Sequence, residues 1–149
     1  MSQHDSLQGA DRMTKTILLS DFDYEQMHDE IIHEIRVENS RLVLCFNDLH
    51  FHGAFSKAQI VFSGFDDILY DVRFEFFTWE GTRIQYGRKL WLDEMMREGL
   101  ANKTFEVVEF WLRYKSAKIF GKCRDTATGM AEDFTLEIDA DEISYQFMK

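Results

Sequence analysis

The segment DILYDVRFEFF, residues 67–77, shows the clearest alternation of apolar and charged side chains in the chain. Five alternate positions are apolar, Ile68, Tyr70, Val72, Phe74 and Phe76, and the charged residues Asp71, Arg73 and Glu75 lie between them. Because successive side chains of a β-strand point to opposite faces, this pattern predicts a strand with one buried and one wet face. Such strands are typical of antiparallel sheets, so the segment favours an antiparallel fold.

The rest of the chain contains further short alternating runs bounded by polar turns. The predicted strands are IIHEIRV, RLVLCFN, AQIVF, KTFEVVEFWLRY, AKIFGKC, DFTLEI and ISYQF. One helix of about three turns is predicted in RKLWLDEMMREGL, with Gly99 at its C-terminal cap. We therefore predict an α+β fold, mainly antiparallel β, with about eight strands in a curved sheet, a sandwich or a partial barrel, and one or two short helices.

Length and composition predict one soluble domain. We expect residues 1–15 to be a flexible N-terminal tail and residues 16–149 to be a single β-rich domain. The start of the chain has no apolar run of the secretory type, and no segment has transmembrane length, so we predict a cytoplasmic protein. Cys45 and Cys123 fall within predicted strands and are expected to be buried free thiols.

The charge of the chain restricts its partners. Asp and Glu number 27 against 17 Lys and Arg, which gives a formal net charge of −10. This acidity opposes binding to nucleic acid or to anionic membranes, and it favours a basic protein partner.

The histidines invite a metal hypothesis. In EQMHDEIIHEI, His28 and His33 lie five residues apart, which places them about 140° apart on a helix and on opposite faces of a strand. They cannot chelate one ion together, and we expect His33 to be a core or sheet-face histidine on the same face as Ile31, Ile35 and Val37. His50 and His52 in LHFHG share a strand face and are weak candidates for a metal site.

Motifs of other catalytic classes are missing from the sequence. It contains neither a Gly-x-Ser-x-Gly nucleophile turn nor a glycine-rich phosphate loop. We therefore predict no catalytic residue and no cofactor. In TFEVVEFWLRY, Phe105, Val107 and Trp111 are expected on one face and Val108, Phe110, Leu112 and Tyr114 on the other. Such a strand is predicted to be covered on both sides, and one face could line a ligand pocket opposite Tyr70–Phe76.

One family resemblance is carried by the first predicted hairpin. The pattern His28-Asp29-x-x-Ile32-x-x-Ile35, followed by a turn and Leu42-x-Leu44, resembles the opening of small acidic bacterial proteins, some of which are immunity proteins of polymorphic toxin systems. The segments LWLDEMMREG and FTLEIDADEISYQF are similar in style. The resemblance implies a non-catalytic protein that binds a toxin, often a basic nuclease, through an acidic surface.

Three functional hypotheses follow. The first is a non-catalytic immunity or inhibitor module that binds a basic protein such as a toxin, with Asp71 and Glu75 as candidate contact residues. The alternative is a small-ligand-binding β-barrel or sandwich with an aromatic-lined pocket. The second alternative is a metal-dependent enzyme that uses His50 and His52. The oligomeric state, monomer or dimer, is left open.

Overall fold

The computed structural model describes residues 13–18, 29–47 and 57–148, which form one antiparallel sheet of ten strands. The strands are β1 (Met13–Leu18), β2 (Ile31–Glu38), β3 (Arg41–Asn47), β4 (Lys57–Ser63), β5 (Val72–Glu80), β6 (Arg83–Trp91), β7 (Lys103–Arg113), β8 (Ser116–Asp125), β9 (Ala131–Asp139) and β10 (Glu142–Met148). The other described elements are two helices, α1 (Ile68–Asp71) and α2 (Leu92–Arg97), and a 3-10 turn at Leu100–Asn102. The predicted fold class is confirmed, and the sheet is curved and unclosed.

The strand order divides this sheet into two halves. Neighbouring strands follow the order β1-β10-β4-β3-β2-β7-β8-β9-β5-β6. At the middle, the ladder of β2 with β7 consists of Ile31 with Glu106 and Ile32 with Phe105, and backbone hydrogen bonds of Asp29 and Glu30 with Val107 extend it. Within each half, neighbouring strands pair through longer ladders. The junction of β2 with β7 is therefore the narrowest part of the described sheet.

The concave side of both halves encloses one core. Inward residues of β2, β3, β4, β5, β7, β8 and β9 belong to a single buried cluster. Leu92 and Met95 of α2 are buried in the same cluster, and α2 lies against β5 and β6. The helix therefore covers the inner surface near the β6 edge of the sheet.

A β-bulge in β2 changes which of its residues face the core. Ile32 pairs with Phe46 and Glu34 with Cys45, so His33 is an extra residue without a cross-strand partner in this ladder. Beyond the bulge the alternation restarts, so Ile32 and Ile35 are both buried, while Ile31 and His33 are exposed. The prediction that Ile31 and His33 share a face with Ile35 was wrong for this reason.

A second bulge, in β7, changes which residues of that strand face the core. Val107 pairs with Gly121 and Glu109 with Phe120, which leaves Val108 as the extra residue. Phe105, Val107 and Phe110 therefore all contribute to the core. The strand is not covered on both sides as predicted, because Trp111 remains 57% exposed on the opposite face.

The helices also differ from their predicted lengths. Ile68 and Tyr70 belong to the one-turn helix α1 instead of a strand, and Asp67 caps this helix by accepting a hydrogen bond from the Leu69 amide at 3.1 Å. Helix α2 is six residues long, because the segment up to Trp91 continues β6. Gly99 follows α2 with a φ of 100°, which agrees with its predicted capping position.

The remaining structural predictions concern the tail, the cysteines and the membrane. Met13 to Lys15 belong to β1, and the rest of the predicted tail lies outside the described residues. Cys45 and Cys123 are buried free thiols, as predicted. Within the described ranges, the helices are too short to cross a membrane.

Candidate functional site

An acidic rim lies at one end of the sheet. It consists of the carboxylates of two segments that contain no lysine or arginine, residues 64–71 between β4 and β5 and residues 139–142 from the last residue of β9 to the first residue of β10. The six acidic residues are Asp66, Asp67, Asp71, Asp139, Asp141 and Glu142. The Asp141 amide donates a hydrogen bond to the Ser63 carbonyl oxygen at 3.1 Å. Because Ser63 directly precedes residues 64–71, this bond joins the two segments.

Two cations of neighbouring elements neutralise part of the acidic rim. Lys115 is in the turn between β7 and β8, and its Nζ lies 3.4 Å from Oδ1 of Asp141. In β5, Nη1 of Arg73 lies 3.0 Å from Oδ2 of Asp139. The hydrogen bond and the charge of Asp141 raise the pKa of Lys115. The exposed carboxylates of Asp66 and Glu142 have no ion pair among the described residues, so the acidic rim keeps an excess of negative charge.

Exposed aromatic rings lie beside these carboxylates. Tyr70 of α1 and Trp91 at the end of β6 form an edge-to-face pair with ring centroids 5.4 Å apart. Tyr114, beside Lys115, is 82% exposed. Tyrosine and tryptophan combine an apolar ring with a polar group, and both are common in the energetically important parts of protein interfaces.

Next to the acidic rim, the outer face of β6, β5 and β9 forms a regular grid. We use "outer face" for the side of these strands that is opposite the core. Cross-strand pairing places Trp91, Arg73 and Glu137 in one row and Lys89, Glu75 and Thr135 in the next. These six residues, together with Phe74 and Leu90, line a surface cavity of about 190 Å³.

The hydrogen-bonding groups of the two rows differ. In the first row Arg73 forms an ion pair with Glu137 at 3.5 Å, in addition to its ion pair with Asp139. It also donates a hydrogen bond to the Tyr70 carbonyl oxygen at 3.1 Å. Burial by itself would lower the pKa of Arg73, but its bonds with Asp139 and Glu137 outweigh burial and raise it. In the second row Glu75 and Lys89 are direct cross-strand neighbours, yet no ion pair joins them or ties either to another described residue.

The two predicted contact residues have different structural roles. Asp71 ends α1, and its carboxylate accepts a hydrogen bond from the Asp67 amide at 2.9 Å, so it holds this part of the acidic rim in place. Glu75 points into the cavity on the outer face. Sequence reasoning missed Lys89, Trp91 and Thr135, because their proximity to Glu75 depends on the strand order β9-β5-β6 and not on local spacing.

The other predicted sites are outside the described residues or have a different structure. His50 and His52 lie outside the described ranges, as does His28. Among the described residues, no group of three or more His, Cys, Asp or Glu side chains is arranged to hold a metal ion.

The position predicted for an interior ligand pocket is occupied by packed rings. Phe105 lies 6.1 Å from Phe74 and 5.0 Å from Phe134, measured between ring centroids, and all three are fully buried. The space between Phe105 and the β5 aromatics is therefore part of the core.

Comparisons with known proteins add no relative. No protein-family model, no curated protein and no solved structure matches this chain. The resemblance to immunity proteins therefore stays a prediction from the first hairpin.

Proposed function

We propose that this chain is a non-catalytic binding protein that recognises a basic protein partner through its acidic rim. The observation that supports this most is the location of six carboxylates beside three exposed aromatic side chains at one end of the sheet. Complementary charge accelerates the encounter with a basic protein, and buried aromatic contacts supply affinity after the encounter.

The distribution of ion pairs also supports this proposal. Two cations beside the acidic rim are already paired, Lys115 with Asp141 and Arg73 with Asp139 and Glu137. The carboxylates of Asp66 and Glu142 are exposed and have no ion pair among the described residues, so a basic partner meets them without first displacing a described cation. The immunity-type function implied by the first hairpin is one form of such binding.

The first experiment tests the charge of the acidic rim. The chain is used to capture proteins from its native host, and the association rate of each purified basic candidate is then measured at low and high salt. We expect Asp66→Lys combined with Glu142→Lys to lower the association rate constant about tenfold or more at low salt. The control, Glu80→Lys combined with Glu106→Lys, makes the same change in net charge away from the acidic rim. Binding that is insensitive to salt, or an equal loss in both double variants, would contradict the proposal.

The second experiment tests the aromatic contacts. Trp91 and Trp79 are exposed to similar extents, 42% and 48%, but only Trp91 lies beside the acidic rim. Replacing an interface tryptophan by alanine typically costs about 2 kcal/mol or more, which is roughly thirtyfold in Kd. We expect this loss for Trp91→Ala and a change of less than about twofold for Trp79→Ala. A similar effect of both variants would place the interface elsewhere.

A further inference from the structure

The geometry points to a binding site for a small zwitterion of the α-amino acid type in the outer-face cavity formed by β5, β6 and β9. The site lies beside the acidic rim, but it needs no protein partner. It therefore stands or falls separately from the function proposed above.

The site has one cation and one anion that are not paired with each other. Glu75 and Lys89 are opposite each other on adjacent strands, where Cβ atoms are about 5 Å apart and opposite charges attract each other. In the neighbouring row Arg73 and Glu137 do form an ion pair, at 3.5 Å. Glu75 and Lys89 both line the cavity without an ion-pair partner among the described residues, so both charges are available to a ligand.

The charge of the lining determines the class of ligand. A simple cation would meet Lys89 and Arg73, and a simple anion would meet Glu75 and Glu137. A neutral ligand would leave both unpaired charges of the second row without a counter-charge. A zwitterion satisfies both, because its ammonium group donates to Glu75 and its carboxylate accepts from Lys89.

The third polar group and the apolar wall favour an α-amino acid over other zwitterions. Thr135 is nearly buried beside Glu75 and has no side-chain hydrogen bond among the described residues, so its hydroxyl can either donate to the carboxylate or accept from the ammonium group. The ring of Trp91 supplies an apolar wall for a ligand side chain. The cavity of about 190 Å³ equals about six water molecules, the size of a small organic molecule.

The experiment is a titration of the ¹⁵N-labelled full chain with L-leucine, followed by amide chemical shifts. N-acetyl-L-leucine lacks the ammonium group and L-leucinamide lacks the carboxylate, so these compounds test each charge separately. We expect L-leucine to shift the amide signals of Glu75, Lys89 and Trp91, and each analogue to bind about tenfold more weakly or worse, since each loses a hydrogen bond between charged groups.

Variants assign the two charges of the ligand. Glu75→Gln and Lys89→Met should each weaken L-leucine binding about tenfold while circular dichroism shows an unchanged fold. The matched control is Lys118→Met, because Lys118 is on the same sheet face next to Glu137 but does not line the cavity. We expect this control to bind L-leucine like the parent chain.

Four results would overturn the proposal. They are the absence of shifts at millimolar L-leucine, an analogue that binds as well as L-leucine, a loss in Lys118→Met equal to that in Lys89→Met, and stronger binding of a neutral methyl glucoside at the same residues. Because the assay contains no protein partner, none of these results bears on the acidic rim.

Discussion

Replacing Gly121 by alanine tests the bulge that positions the middle of the sheet. Gly121 pairs with Val107, directly before the extra residue Val108. A Cβ atom at Gly121 would overlap the Glu106 carbonyl oxygen and would lie 3.0 Å from the Glu106 carbonyl carbon and 3.1 Å from the Val108 nitrogen. All three atoms belong to the backbone, so no side-chain rotation can relieve the overlap.

The magnitude follows from the hydrogen bonds that must be lost. Moving β7 away from β8 at Gly121 breaks about two ladder hydrogen bonds, and each costs about 1 kcal/mol plus the penalty of leaving buried groups unpaired. We therefore expect Gly121→Ala to lower the free energy of unfolding by about 3–5 kcal/mol. The measurement is urea unfolding followed by circular dichroism and tryptophan fluorescence, analysed by linear extrapolation.

Gly87 offers a matched control in the same sheet. A Cβ atom at Gly87 of β6 would meet only the Phe76 carbonyl oxygen at 3.7 Å, an ordinary van der Waals distance. Gly87→Ala should therefore change the free energy of unfolding by less than about 0.5 kcal/mol. If Gly121→Ala lowers the free energy of unfolding by less than about 1 kcal/mol, or by no more than Gly87→Ala does, the backbones of β7 and β8 are not as close at the bulge as described.

Two further predictions concern ionisable groups. Burial raises the pKa of Cys45 to about 11 and of Cys123 to about 12. A thiol reagent near pH 8 should therefore modify both cysteines at least about a hundredfold more slowly in the folded chain than in denaturant, and equal rates would contradict their burial. Hydrogen bonds from the Ala127 and Thr128 amides lower the pKa of Asp125. Because the folded pKa lies below the unfolded one, this stabilisation is present above about pH 4 and is lost as the pH falls through the folded pKa. The urea midpoint of Asp125→Asn should therefore be below that of the parent chain at neutral pH, and this difference should shrink in acid. A difference that does not depend on pH would contradict the lowered pKa of Asp125.

The sequence predicts the fold class well, because the signal is local. Alternation along β3, β5 and β8 indicates strands, and in β5 the residues Val72, Phe74 and Phe76 are buried on the predicted face. The two bulges escape this reasoning, because one extra residue reverses the face of everything beyond it. At His33 and Val108 nothing in the local pattern marks that reversal. Only Gly121, on the opposite strand, indicates the second bulge, and it does so only when the register is known.

The candidate site is less predictable from sequence than the fold. Asp71 and Glu75 were predicted as wet-face residues of one strand, but Asp71 belongs to α1, whose capping bond is made by Asp67. The cavity combines β5 with β6, its neighbour in sequence, and with β9, which lies much later in the chain. Pairings of that kind are set by the packing of the whole core, so the contribution of Thr135 has no sequence signature.

The position of β10 has a consequence for the order in which the chain folds. Strands β5 to β9 are contiguous in sequence and make up one half of the sheet, in which the β5–β6 hairpin and the β7–β8–β9 meander are joined by the pairing of β5 with β9. In the other half β10 lies between β1 and β4. On the ribosome, β1 emerges first but has no strand to pair with in the native order until β10 has been synthesised. Until β10 has been synthesised, the edge of β4 that β10 covers in the native sheet is open to pairing with another chain.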